Sequence, residues 1–243
     1  MIIKNKIINE VPVITYELDN NTKKPLIFFF HGFTGNKDTL MGRGEKLAEL
    51  GYYVVAIDAH LHGERMTPWF RELPNEIKYQ YIIDIAIQTA KDAKMLFEDV
   101  FSKNENIISD NFYAYGVSMG AAITFYLATI TDKLEKAVTL VGSPSFVDYY
   151  KERSSKYNWD SEIYNDRLIK YQNLDPLINN ERLKNTKIFL ALGSKDEIVY
   201  PKFSIELHKQ RPDSTILKMY DTGHESTPEM LNDAYDFLTI KDK

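Results

Sequence analysis

Six short, continuous apolar or β-branched runs constrain what this chain can fold into more than any other feature: Leu26 to Phe30, Tyr52 to Ile57, Phe112 to Tyr115, Ala137 to Val141, Lys187 to Leu192 and Thr215 to Tyr220. Each is of strand length. A run without an alternating polar face suits a strand covered on both sides, the situation in a largely parallel sheet. Patterns of helical periodicity lie between and after the runs, at about 38–50, 76–101, 119–131, 201–210 and 226–239. Strand and helix in alternation predict an α/β fold whose mostly parallel central sheet is flanked by helices, with ligands beyond the carboxyl ends of the strands.

Ahead of the alternation, Ile2 to Ile8 and Val11 to Leu18 predict an N-terminal antiparallel hairpin, and residues 20–25 a turn. The stretch 145–184 breaks the alternation, being rich in Tyr, Asn, Ser and Lys without a buried-strand run. It reads as a small helical insertion before the last strands, a lid or cap on a single domain spanning 1–243. With 44% hydrophobic and 27% charged residues, the chain can bury a core of that size. A net charge of -5 without a basic cluster argues against a nucleic-acid partner. The chain has no cysteine, so disulfides, a thiol nucleophile and thiolate metal sites are excluded. The apolar runs are too short to cross a bilayer, and a cytoplasmic protein without a membrane partner is expected, its oligomeric state left open.

The chemistry concentrates in Gly116-Val117-Ser118-Met119-Gly120, which follows an apolar run and opens a small-residue helix. A serine between a strand and a helix sits on a sharp turn, and the flanking glycines let neighbouring backbone pass. A hydroxyl near neutral pH needs a base within hydrogen-bond reach and a third group to hold that base. On such an elbow the acid and then the histidine follow the serine in the chain, which leaves His208 and His224 of the five histidines. His208 lies among Glu206, Lys209 and Gln210 on a solvated helical pattern, whereas His224 lies in a glycine-containing loop after the last strand and is preferred. Asp196 lies just past the Lys187–Leu192 run and is the expected acid, with Glu197, Asp148 and Asp175 as competitors. The expected oxyanion donors are the backbone N–H groups of Met119, the residue after the serine, and Phe33, in the loop His31-Gly32-Phe33-Thr34-Gly35.

Taken in order, His31-Gly32-Phe33, Asp58-Ala59-His60-Leu61-His62-Gly63-Glu64-Arg65, the Ser118 elbow, Gly193-Ser194-Lys195-Asp196 and Gly223-His224 resemble the α/β-hydrolase superfamily over nearly the whole chain. Within it, the chain is similar to small bacterial serine esterases of the dienelactone-hydrolase and prolyl-oligopeptidase-like branch. The resemblance implies the triad Ser118, Asp196 and His224 and the two oxyanion donors. One departure counts against dienelactones as substrate: the elbow of dienelactone hydrolases proper carries cysteine.

The expected activity is hydrolysis of a small or medium carboxylic ester, with a small-molecule acyl substrate and no cofactor. A thioester or peptide bond, acyl transfer, and a non-catalytic ligand-binding module are the alternatives. Trp69, Tyr149 and Trp159 are candidates to line the substrate pocket. His60 and His62, with Asp58 and Glu64 nearby, offer too few ligands for a metal site, and no metal is expected; His62-Gly63 is read as fixing the loop beside the site.

Overall fold

The computed structural model describes residues 1–19, 22–40, 42–159, 161–183 and 185–239; Asn20 and Asn21 of the expected turn lie outside these, as do residues 240–243. All six runs form strands. The described strands are β1 (Ile2–Ile8), β2 (Val11–Glu17), β3 (Lys24–Phe30), β4 (Tyr53–Ile57), β5 (Ile107–Val117), β6 (Leu134–Leu140), β7 (Lys187–Gly193) and β8 (Thr215–Tyr220). They build one sheet in the order β1-β2-β4-β3-β5-β6-β7-β8. The β1–β2 and β2–β4 pairs are antiparallel, and β4 to β8 pair in parallel.

The helices are α1 (Arg43–Glu49), α2 (Pro68–Glu72), α3 (Asn75–Lys78), α4 (Ile82–Asp99), α5 (Met119–Ile130), α6 (Phe146–Tyr157), α7 (Ser161–Gln172), α8 (Lys202–Gln210) and α9 (Pro228–Thr239). Strand β3 shows why its sequence is apolar throughout. Phe28 and Phe30 belong to a core shared with Ile83 and Ala90 of α4 and Ile123 of α5. Ile27 and Phe29 belong to a second core shared with Leu47 of α1 and Met230 and Phe237 of α9. Both faces are therefore dry, and each buried aromatic or aliphatic side chain contributes about 1.5–3 kcal/mol of transfer free energy.

Two predicted helices begin later than their periodicity suggests. Gly42, at φ 77°, is left-handed and separates a short 3-10 turn at Lys37–Leu40 from α1. Another 3-10 turn, Tyr79–Tyr81, separates α3 from α4.

Between β6 and β7, the described residues of the 145–184 stretch form α6, α7 and a short 3-10 turn. Buried Asp175 ties its two ends together, accepting from Val147 N (2.8 Å) at the start of α6 and from Leu177 N (2.8 Å) and Ile178 N (3.0 Å). The insertion is also bonded to the segment before α4 and to its first turn. Trp159 Nε1 donates to Glu76 O (3.2 Å), Arg167 Nη1 to Gln80 O (2.7 Å), and the Tyr171 hydroxyl to Asp84 (3.1 Å). Among the described residues, no helix is long and apolar enough to cross a membrane.

Candidate active site

Strand β5 lies between β3 and β6, so whatever follows its carboxyl end sits at the middle of the sheet edge. Ser118 is that residue. Its backbone is at φ 55°, ψ -113°, a conformation that costs a non-glycine residue about 1–3 kcal/mol. The elbow closes only because Gly116 and Gly120 lack side chains: a Cβ on Gly116 would collide with the Gly120 carbonyl, and one on Gly120 with the Phe30 carbonyl. Ser118 is also the N-cap of α5, so Met119 is its first helical residue. The N–H groups of a first turn have no partner inside the helix and carry the positive end of its dipole.

Three loops converge there. Ser118 Oγ lies 2.8 Å from Nε2 of His224, on the loop between β8 and α9. His224 Nδ1 lies 2.7 Å from Oδ2 of Asp196, on the loop after β7. The other Asp196 oxygen accepts from Ile198 N (2.9 Å) and Val199 N (2.8 Å). The carboxylate is buried and held on both oxygens, so it orients the imidazole with Nδ1–H toward it and leaves Nε2 free to accept from the serine.

The competitor groups lie elsewhere. Glu197 is exposed. Asp148 accepts from the Ser145 hydroxyl (2.8 Å) at the start of α6, and Asp175 is taken up as described. Burial raises the Asp175 carboxyl above its ordinary value, against the backbone donors that lower it. His208 is half-buried rather than solvated, because its Nδ1 bonds the Thr215 hydroxyl (2.8 Å).

The loop after β3 packs beside the serine: a Cβ built on Gly32 would sit 3.7 Å from Ser118 Cβ. Histidines hold this loop. His31 Nε2 accepts from Ala59 N (3.1 Å), which places its proton on Nδ1, where it donates to Gly32 O (2.7 Å). Burial pushes the His31 imidazole down to about 4, in keeping with a ring nitrogen committed as acceptor. His62 Nε2 lies 2.6 Å from Phe33 O and pins the peptide that follows Phe33. Buried Asp58 accepts from Lys37 N (2.7 Å) and Glu64 N (2.9 Å), so these groups organise the loop. Among the described residues, no three His, Asp or Glu side chains are grouped as a metal site would require.

A cavity of about 330 Å³ opens over Ser118, and Phe33, Met119, Tyr149 and His224 are among its walls. Two expected lining residues are elsewhere. Trp69 is about half exposed (49%), its ring edge-on to Phe70 and Tyr81. Trp159 is buried against Tyr150 and Tyr157, where its indole N–H finds the Glu76 carbonyl. A large ring with one donor is best placed where apolar cover and an acceptor coincide, and that place is where the insertion packs on α3. Walls absent from the sequence reading include Tyr79, Ile82, Phe146, Arg153 and Val199. Ile82 and Phe146 read as ordinary helix core, and Arg153, within Lys151-Glu152-Arg153-Ser154, as a solvated face.

A sequence-family profile described as serine aminopeptidase, S33, matches residues 21–159, which include Phe33 and Ser118 and end before Asp196 and His224. YitV of Bacillus subtilis (strain 168), which carries an esterase name, is 25% identical over 241 residues, 94% of this chain and 88% of that protein. Lipase 3 of Moraxella sp. (strain TA144) is 24% identical over 272 residues, 93% of this chain and 80% of that protein. Among solved structures, TT1662 from Thermus thermophilus superposes with a TM-score of 0.74 at 19% identity, over 98% of this chain and 97% of that one, a likeness of fold. The α/β-hydrolase resemblance drawn from the order of the motifs agrees with these matches.

Proposed function

This chain belongs to the serine aminopeptidase S33 family of hydrolases, and from that premise we propose that it cleaves small or medium carboxylic esters through an acyl-enzyme on Ser118. One observation carries the reading: an unbroken relay from Ser118 Oγ through both nitrogens of His224 to Asp196, in contact with a largely apolar cavity. The esterase and lipase names of the two relatives support an ester as the scissile bond. The family's description supports an amide as the second reading.

In this mechanism His224 Nε2 takes the hydroxyl proton as Ser118 Oγ attacks the acyl carbon, while Asp196 stabilises the imidazolium. The N–H groups of Met119 and Phe33 donate to the oxyanion. His224 returns its proton to the leaving alkoxide, which departs as the alcohol. Water, deprotonated by the same nitrogen, then attacks the acyl-enzyme and releases the acid, restoring Ser118. In the same reading the insertion caps the site through α6, supported by Phe146, Tyr149 and Arg153 of that helix among the cavity walls.

The test joins fluorophosphonate labelling with turnover of p-nitrophenyl esters of increasing length, beside an acyl-CoA and an aminoacyl amide. We expect labelling of Ser118 and the highest kcat/KM on a short or medium ester. Ser118→Ala should fold and lose nearly all turnover; retention of more than roughly a tenth of the kcat would overturn the mechanism. A higher kcat/KM on the amide would replace the ester by the peptide bond.

A further inference from the structure

We propose that Arg153 makes this cavity selective for esters whose acyl chain ends in an anionic group, a carboxylate foremost; the inference rests on the ester-hydrolase reading above. Arg153 is the one lysine or arginine among the described residues lining the cavity over Ser118. It projects from α6, and its guanidinium lies 5.5 Å from the Tyr79 ring centroid and 5.4 Å from that of Tyr149. Two flanking rings hold a planar cation in a fixed plane, so little side-chain freedom is lost when a ligand binds.

The donors of this guanidinium are only partly used. Nη2 donates to Ile198 O (2.6 Å), and the Tyr149 hydroxyl takes a second interaction. A guanidinium has five N–H donors, and among the described residues no carboxylate stands within ion-pair distance of this one. The adjacent Glu152 is engaged instead by Lys202 (2.7 Å). On the outer side of Arg153, Lys151, Lys156 and Lys202 line a second, polar hollow with Glu152 and Glu197, four cations with Arg153 against two carboxylates. Among the described residues the one carboxylate on the cavity wall, Glu225, belongs to the His224 loop, is exposed and accepts from the Thr222 hydroxyl (2.6 Å). An otherwise apolar cavity with one fixed fork of donors binds a chain that is apolar along its length and anionic at its far end.

A structural role makes a different prediction. Ile198 N bonds Asp196, so the Arg153–Ile198 contact could serve only to latch α6 onto the loop that holds the acid. Loss of a latch lowers turnover of every substrate alike, whereas loss of an anion site changes the ratio between substrates.

The experiment measures kcat/KM, corrected for spontaneous hydrolysis, for p-nitrophenyl monoesters of glutaric, adipic and pimelic acids. The neutral esters of pentanoic, hexanoic and heptanoic acids serve as length-matched partners, and wild type, Arg153→Gln and Arg153→Lys are compared. At one chain length wild type should favour the anionic ester about ten- to hundredfold, the range of a charge-assisted hydrogen bond. Arg153→Gln should bring that ratio to about one or below, and Arg153→Lys, with the charge but without the fork, should retain part of it. A wild-type ratio near one at all three lengths, with neutral esters turned over through Ser118, overturns this inference and leaves the ester-hydrolase reading intact. An equal fall on both substrates in Arg153→Gln, the ratio unchanged, assigns Arg153 to the latch and also overturns it. Absence of Ser118 labelling overturns the underlying reading, and this one with it.

Discussion

Asp196 and Glu197 are neighbours in the chain with opposite surroundings. Asp196 is 4% exposed and carries two backbone donors on one oxygen and His224 on the other, while Glu197 points to solvent. In Asp196→Asn the amide can no longer stabilise the imidazolium, and its NH₂ would favour the wrong imidazole tautomer. We expect kcat to fall by several powers of ten with KM nearly unchanged, and Glu197→Gln to stay within about threefold of wild type. Steady-state kinetics on one p-nitrophenyl ester decides the point, and a collapse confined to the Glu197 variant would transfer the role to that residue.

At the scale of elements, the β5–α5 elbow is the joint on which the site depends. The strand delivers the serine and the helix begins at the next residue, so the backbone must cross closely over the end of β3. Gly120→Ala places a methyl group against the Phe30 carbonyl, backbone atoms in the middle of the sheet that cannot move aside cheaply. We expect a loss of more than about 3 kcal/mol in urea unfolding, or failure to accumulate folded protein. Wild-type stability in this variant would show that the elbow is looser than its contacts imply. The insertion is a different kind of element. Its bonds to Glu76, Gln80 and Asp84 join two segments that the sequence separates by about eighty residues.

For the molecule as a whole, buried histidines couple stability to pH. Burial holds His31 down to about 4 and lowers His60 and His62 as well, whereas in the unfolded chain each titrates near its ordinary 6.5. As pH falls from about 6.5, the unfolded chain therefore binds protons that the folded one refuses, and stability declines; above that pH these groups have no effect. For His31 the decline continues to about pH 4 and amounts to roughly 3 kcal/mol. Asp175, raised by burial, acts in the opposite sense in acid, so urea unfolding of wild type is compared with a variant that keeps Asp175 and alters only the histidine. His31→Gln, which still offers an acceptor to Ala59 N, should show a shallower decline than wild type; equal slopes would remove His31 from the account. The sequence by itself determined the strands and the elbow, because strand burial on two faces and a glycine-flanked turn leave short-range marks, as in Leu26 to Phe30 and Gly116 to Gly120. It also limited the base and the acid to a few positions, since both had to follow Ser118 in loops at strand ends. Only the tertiary structure decided which groups meet. The distance between Ser118 and His224 is a consequence of strand order, Trp159 left the cavity because its ring packs within the insertion while its N–H reaches the Glu76 carbonyl outside it, and Arg153 entered it. A charged residue on a helical pattern reads the same whether it faces water or a ligand, and its surroundings come from residues distant in the chain.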